Sequence, residues 1–600
     1  MTAYAGPGSR QRATSFAKAA VLFAITLTLT WPVCAQESPA KEGDDFRSLL
    51  NDGFALHQRA DYANALPLLE RARSIHPRDY FANLLIGVEL LRTGKPEEAI
   101  DYLQVAAHQR PREDFPLDYM GEAQAQLGHF AEAAQSYSRA VEVAPTSSQA
   151  IEGALDYAVE RFRLISAELR STSKGLAAEY RLQAMSRPLG DPGREQLLLD
   201  AARMDPEAPG IWSDLAIAYL RTGKKQGAEK SLAQSLKRNP NDLRARQAEA
   251  MLAATRGDWN AAFADVDFIV ERSPGALAES ARDWPQNLQP PSDRRVTGAA
   301  AAFLVCAREK SNPCNLEKFG HERRRLPVSR KVLYQQECWE QLISLPVLPN
   351  EDATAWFQYG SALADLGRWG TAIPALERSM KGGGNNVYAL FLLGWSYAEQ
   401  AGKVMALLEQ EHGDEAVTHL IRGDVLLQMQ ANSQGAIAEY TTALRIRAGD
   451  PKLVERLAEA QFENGQPKDA VESAKAALSI DPYQFAAMQT LARIAIAQRR
   501  YDDALPYLSQ LTAHDPKDIA AQVELGMVLA QTGDANEALK HLGPPLERGY
   551  PDEKGSLHAL LGTVLRKVGR NEEAAQAFAK ARTLSDEYQR KAHQGADEQN

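Results

Sequence analysis

The chain has 600 residues, too many for one compact core and enough for several domains or one repeat array. Hydrophobic residues make up 44% and charged ones 24%, the range of soluble folded protein, which argues against a disordered chain and against a multi-span membrane protein. Lys and Arg number 68 against 78 Asp and Glu, a net −10 that gives no footing for nucleic-acid binding, and four cysteines exclude a disulfide-dense scaffold.

The first 18 residues carry Arg10, Arg12 and Lys18 and no acid, and an uncharged apolar run fills 19–30. That run is short of the roughly 20 residues a spanning helix needs. Val33 and Ala35 place small residues at −3 and −1 of a cut after Ala35. Residues 1–35 therefore read as a signal peptide, giving a periplasmic or secreted chain with no stable membrane span after cleavage; uncleaved, the segment would anchor the chain. Trp31-Pro32-Val33 before Cys34 is a poor lipoprotein signal.

Beyond it the sequence repeats. Gly53, Gly87 and Gly121 are spaced by 34; Ala65, Ala99 and Ala133 follow, then Leu69, Leu103 and Tyr137, then Ala72, Ala106 and Ala140, then Pro77, Pro111 and Pro145. Small residues at the Gly and first Ala columns let two helices approach closely, the Leu or aromatic fills the gap between them, Gly94 and Gly128 permit a tight turn, and Pro closes the second helix. The columns recur at Trp212, Leu215, Ala216, Tyr219 and Gly223, at Ala250 and Gly257, and, after a break, from Trp356, Gly360 and Gly367 through Gly394, Gly423, Ala458, Ala492, Gly526 and Gly562.

This pattern resembles the tetratricopeptide repeat (TPR), a helix–turn–helix unit, over twelve units and about two thirds of the chain past the signal segment. The resemblance implies an all-α fold, a right-handed α-solenoid, here as two arrays joined by an irregular helical segment. The organisation expected is TPR units over 46–147, a degenerate helical segment over 148–208 with long helices near 150–170 and 172–187, TPR units over 209–276, and a proline-rich helical connector over 277–352. A C-terminal array over 353–588 and a polar tail over 589–600 follow. The 29-residue step from Gly394 to Gly423 predicts a separate helix at 402–411 after a shortened loop.

Motifs for chemistry are sparse. Cys306 ends an apolar helical run and Cys314 follows Asn312-Pro313, so a Cys306–Cys314 disulfide would clamp the connector; Cys338 as the partner of either, or three buried thiols, are the other readings. No zinc-protease helix, phosphate loop or nucleophile elbow occurs: His321-Glu322 lacks its second His, Gly382-Gly383-Gly384 lacks a following Lys, and His412 and His419 flank a helix break. No catalytic residue, metal ligand or cofactor is expected, and the chain does not read as an enzyme. Arg323-Arg324-Arg325, with His321, Arg330 and Lys331, is a solvated face or a site for an acidic partner.

In the TPR family the first helix of each unit lines a concave groove. With the Gly/Ala column as position 8, positions 2, 5, 9, 12 and 13 face it. The resemblance then puts Phe357, Tyr388, Phe391 and Trp395 in the groove as an aromatic cluster, either interface anchors or a packing cluster. Asp424, Glu455, Glu459, Phe462, Glu463, Arg493 and Met527 lie further along, with Asp424 and Arg493 the charged candidates for partner contact. The Lys-5, Asn-9 clamp by which some members hold a C-terminal carboxylate is absent: those positions read Ser213 and Ile217, Gln247 and Met251, Glu455 and Glu459, Gln489 and Arg493. The expectation is a non-enzymatic scaffold of a bacterial envelope that binds a peptide or protein segment in its groove, for envelope assembly, export or polymer synthesis. The alternative is a polysaccharide-binding or enzyme-accessory module.

Overall fold

The computed structural model describes residues 42–597 apart from 60, 171–172, 282–283, 286–287, 292–295, 310–315, 317–328, 348–350, 381–385, 515, 517, 548–549, 551 and 553. The signal segment, Cys314, the basic triplet 323–325, the glycines 382–384 and the last residues of the tail lie outside the described residues. Those described form α-helices joined by short turns, with one π-helical turn and no strand among them.

Each repeat is a helix pair whose geometry follows from the columns. In the pair Tyr80–Arg92 and Pro96–Gln109, a Cβ added at Gly87 would lie 2.6 Å from Leu103 Cγ. The same addition at Gly360 would meet Leu376 at 2.8 Å, and at Gly526 Leu542 at 2.7 Å. Such separations are overlaps, so the backbone of the first helix rests directly on the side chain sixteen residues later, and at these positions only glycine fits. Alanines fill the columns behind it: Ala65, Ala99, Ala133, Ala372, Ala470 and Ala538 are fully buried. The turn seven residues after the glycine needs a left-handed backbone, and Gly94 and Gly367 supply it at φ 78° and 67°.

Among the described residues two repeats take that turn without glycine. Arg499 sits at φ 58° and Ala431 at φ 49°. Ala431 lies eight residues after Gly423 instead of seven, and the extra residue is absorbed by the π-helical turn Val425–Met429. The turn hydrogen bond accordingly spans one residue more, running from Asn432 N to Leu426 O where the ordinary repeat has Lys95 N to Leu90 O, both at 2.8 Å.

The chain forms two compact units. The first holds 42–157, 404–427 and 432–594; the second is built on 158–403 with 428–431. Their boundaries fall inside the helices Ser148–Leu169 and Val387–His412, not in the connector. The connector's helices Pro274–Ser280, Gly298–Glu309, Arg330–Gln335 and Trp339–Ser344 bury Leu277, Phe303, Leu333, Trp339 and Leu342, together with Trp284 from the stretch after the first of them, in one core with Met251, Trp259 and Val266. It is thus a structural part of the second unit and no linker. Cys306 is disulfide-bonded and Cys338 is a buried free thiol, while the predicted partner Cys314 is not described. The separate helix expected at 402–411 does not form. Val387–His412 runs unbroken for 26 residues, because no glycine takes a left-handed turn there and Gly402 is accommodated within the helix.

Replacing Arg499 by Gly is expected to stabilise the chain by roughly 0.5–1 kcal/mol, the left-handed strain relieved less the chain entropy a glycine adds. Gly465→Ala, at φ 74°, should cost about as much. Urea unfolding of the two variants, with midpoints moving in opposite directions, is the check.

Candidate functional site

The sequence placed Phe357, Tyr388, Phe391 and Trp395 on one wall, and the structure brings the four together in the second unit. Ring centroids step from Phe357 to Tyr388 at 5.9 Å, to Phe391 at 5.8 Å and to Trp395 at 6.0 Å. Tyr334 joins at the Phe357 end at 6.0 Å and Trp369 at the Trp395 end at 5.0 Å.

The wall is covered, however. Phe391 is 1% exposed and Trp395 6%, whereas Phe357 and Tyr388 are half-buried. The cover comes from earlier repeats of the same unit. Arg181, on the helix Ser173–Ser186, stacks its guanidinium 4.2 Å from the Phe391 centroid, and Arg244, on Leu243–Thr255, lies 5.3 Å from that of Trp395. A Cβ at Gly394 would lie 2.6 Å from Leu182 Cδ2 and 3.3 Å from Ile165 Cγ2, so this glycine admits helices some two hundred residues earlier rather than a partner within its own repeat. Phe391 and Trp395 are therefore not exposed anchors but packing residues.

Both guanidiniums are held by one carboxylate. Asp214 accepts a hydrogen bond from Arg181 Nε at 2.8 Å and forms an ion pair with Arg244 at 3.0 Å, and Arg181 also donates to Pro209 O at 2.6 Å. Burial works to raise the Asp214 carboxyl, but the two guanidiniums outweigh it and hold it below its ordinary range. Beside them Arg161 pairs with Glu377 at 2.7 Å, and the fully buried Tyr397 donates to the same carboxylate at 3.3 Å. A cavity of about 90 Å³ remains at the Tyr388 end, lined chiefly by Ala177, Ala201, Ile211, Val387 and Phe391, with Lys174 and Arg181 as its cations. It has room for about three water molecules or one small apolar side chain.

Asp424 and Arg493 are not part of this cluster; both belong to the first unit. Asp424 is buried, accepts the Tyr440 hydroxyl at 2.6 Å and pairs with Arg456 at 3.2 Å, and burial raises its carboxyl. It holds helices together and offers nothing to a ligand. Arg493 is 39% exposed, pairs with Glu463 at 2.9 Å and lies 5.1 Å over the Phe462 ring. Phe462 is half-buried, as are Ile496 on the same helix as Arg493 and Met527 on the next first helix; Glu463 is exposed, and the carboxylate of Glu524 is pushed up by burial. Among the described residues no three His, Cys, Asp or Glu side chains converge as metal ligands, and no helix is long and apolar enough to cross a membrane.

Sequence reasoning missed Arg181, Asp214 and Arg244. Arg244 carried a signal, since it occupies groove position 2 of its repeat. Arg181 lies in the degenerate segment, where no column assigns a position.

The chain carries tetratricopeptide repeats. Models described as tetratricopeptide repeat match residues 195–252, 461–504 and 495–562, and a second such model matches 55–114. No curated protein matches the chain. Solved structures similar to it include MamA from Desulfovibrio magneticus RS-1, 20% identical over 29% of this chain and 97% of that one with a TM-score of 0.26. YrrB, titled a TPR protein with an unusual peptide-binding site, is 18% identical over 32% and 96% with a TM-score of 0.27. MamA AMB-1 is 22% identical over 28% and 92% with a TM-score of 0.26. Repeats of this family form scaffolds for protein–protein interaction, their stacked helices giving extended binding surfaces.

If Phe391 and Trp395 are packing residues, each Ala replacement should cost about 3–5 kcal/mol. Chemical unfolding followed by tryptophan fluorescence should show the loss in the protein alone, with no partner present.

Proposed function

We propose that the chain is a non-enzymatic scaffold of a bacterial envelope, exported by its N-terminal segment, that holds a peptide or protein segment on the first-helix face of its C-terminal repeats. The observation that carries the reading is that Phe462, Arg493, Ile496 and Met527 keep accessible surface on the first helices Pro451–Glu463, Phe485–Ala497 and Ile519–Thr532, where Phe391 and Trp395 of the second unit do not. Half-exposed apolar side chains flanked by an ion pair are the makings of an interface core with a polar rim. The exported location draws support from the apolar leader and from the disulfide at Cys306, which persists in an oxidising compartment.

The test is crosslinking capture from native envelope extract by the mature chain and by a Phe462→Ala, Met527→Ala double variant. A single captured protein lost in the variant, with unfolding behaviour unchanged, is the expected result. Equal capture by both removes this face as the site, and capture of glycan alone favours the polysaccharide reading. N-terminal sequencing of the protein from whole cells should begin at Gln36; a start at the initiator end would mean an anchored chain.

A further inference from the structure

Inside the first unit the end of the N-terminal repeats meets the start of the C-terminal array. Lys452, on the first helix Pro451–Glu463, lies 300 residues after Glu152, on the helix Ser148–Leu169. Yet its Nζ is 3.4 Å from Glu152 Oε1 and 3.9 Å from Asp156 Oδ2. On the same seam His412 Nε2 reaches Thr146 O at 3.1 Å. The seam is partly closed to water: Lys452 is 28% exposed and the two carboxylates 27% and 15%.

The two sides are held separately. Glu152 and Asp156 belong to the N-terminal repeats, because Ser147 Oγ donates to Asp114 at 2.6 Å, the Tyr157 hydroxyl donates to Phe130 O at 2.8 Å, and its ring stacks 4.9 Å from that of Tyr137. Across the seam the C-terminal array presents Asp424, Glu455 and Glu459, and Arg456 is engaged with all three at 3.2, 4.0 and 3.1 Å. That guanidinium serves its own array. Lys452 is the cation that spans to the other, where Asp156 already acts on Asp424 as a like charge. Burial works to lower the Lys452 amine, but Asp156, Glu152 and Asp424 outweigh it and hold it above its ordinary range, so it stays charged.

We propose that Lys452 is a clasp: paired with Glu152 and Asp156 it closes the first repeats of the C-terminal array over residues 146–157, and without it the carboxylates of the two sides face each other and the seam opens. The occupant of this stretch of first-helix face is thus the chain itself. The physical reason is the imbalance of charge. Carboxylates from both arrays share a place with little water, and one amine carries the attraction between them. Removing one member of a covered ion pair costs more than the pair contributes, because the charge left behind stays unpaired. The clasp is independent of the proposed partner face, since it forms within the chain and needs no partner.

Hydrogen exchange by mass spectrometry on the full chain at neutral pH tests it. In Lys452→Gln, peptides over 148–157 and 451–463 should be about tenfold less protected than in the unaltered chain, between what an exposed pair and a buried one would give. Peptides over 519–532 should not change. Lys452→Arg should keep the protection. Adding Glu152→Gln and Asp156→Asn to Lys452→Gln should restore it, because the opposed charges are then gone. Unchanged protection in Lys452→Gln overturns the proposal. So does a loss that persists in the triple variant, which would make the lysine a packing residue, or one that spreads to 519–532, which would mean that the array itself unfolds.

Discussion

Everything in this chain rests on the contact of a backbone with a side chain sixteen residues later. Gly87 lies on Leu103, Gly360 on Leu376 and Gly526 on Leu542, at distances that leave no room for a Cβ. That contact sets the separation of the two helices in each pair, and the helix separation sets where the next pair can stack. Where a large residue is needed in the filling column the chain uses Leu, Tyr or Phe, and where a small one is needed it uses Gly or Ala. The fold is therefore specified by size more than by hydrophobicity, which is why alanine supplies so much of its core.

This local rule is also what made the sequence readable. The 34-residue columns located the helix pairs, the turn glycines and the proline stops, because each depends on neighbours within one repeat. The unusual step before Gly423 was visible as a spacing, yet it was resolved in two ways that spacing alone does not distinguish: a π-helical turn took up one residue, and two expected helices merged into Val387–His412. Both outcomes trade a turn for continued helix, and neither breaks the Gly–aromatic contact between Gly423 and Tyr440.

The candidate site was legible only in part. Phe357, Tyr388, Phe391 and Trp395 were rightly grouped, since they share one helix face or adjoining ones. That this face is occupied was not legible, because Arg181 and Leu182 come from a stretch that has lost the repeat columns and meet Phe391 and Gly394 across about 210 residues of chain. Periodicity describes a helix and its neighbours; it says nothing about where a superhelical turn meets itself. Asp424 shows the same limit on a smaller scale, a groove position by count that the buried pair with Tyr440 and Arg456 withdraws from any ligand.

The connector adds a different constraint. Cys306 is bonded and Cys338 is not, and the latter sits 9% exposed at the start of the helix Trp339–Ser344, its thiol raised by burial in the core it shares with Leu333 and Leu342. A raised, covered thiol supplies little thiolate, so the folded molecule keeps its odd sulfur out of exchange chemistry. Before that core forms, the sulfur has no such shelter. The order of events in biogenesis is thereby restricted: the residues around Trp339 must pack before oxidation is complete, or a wrong sulfur pairing competes with the right one, and oxidant supplied too early would lower the yield of native chain without altering the stability of what folds.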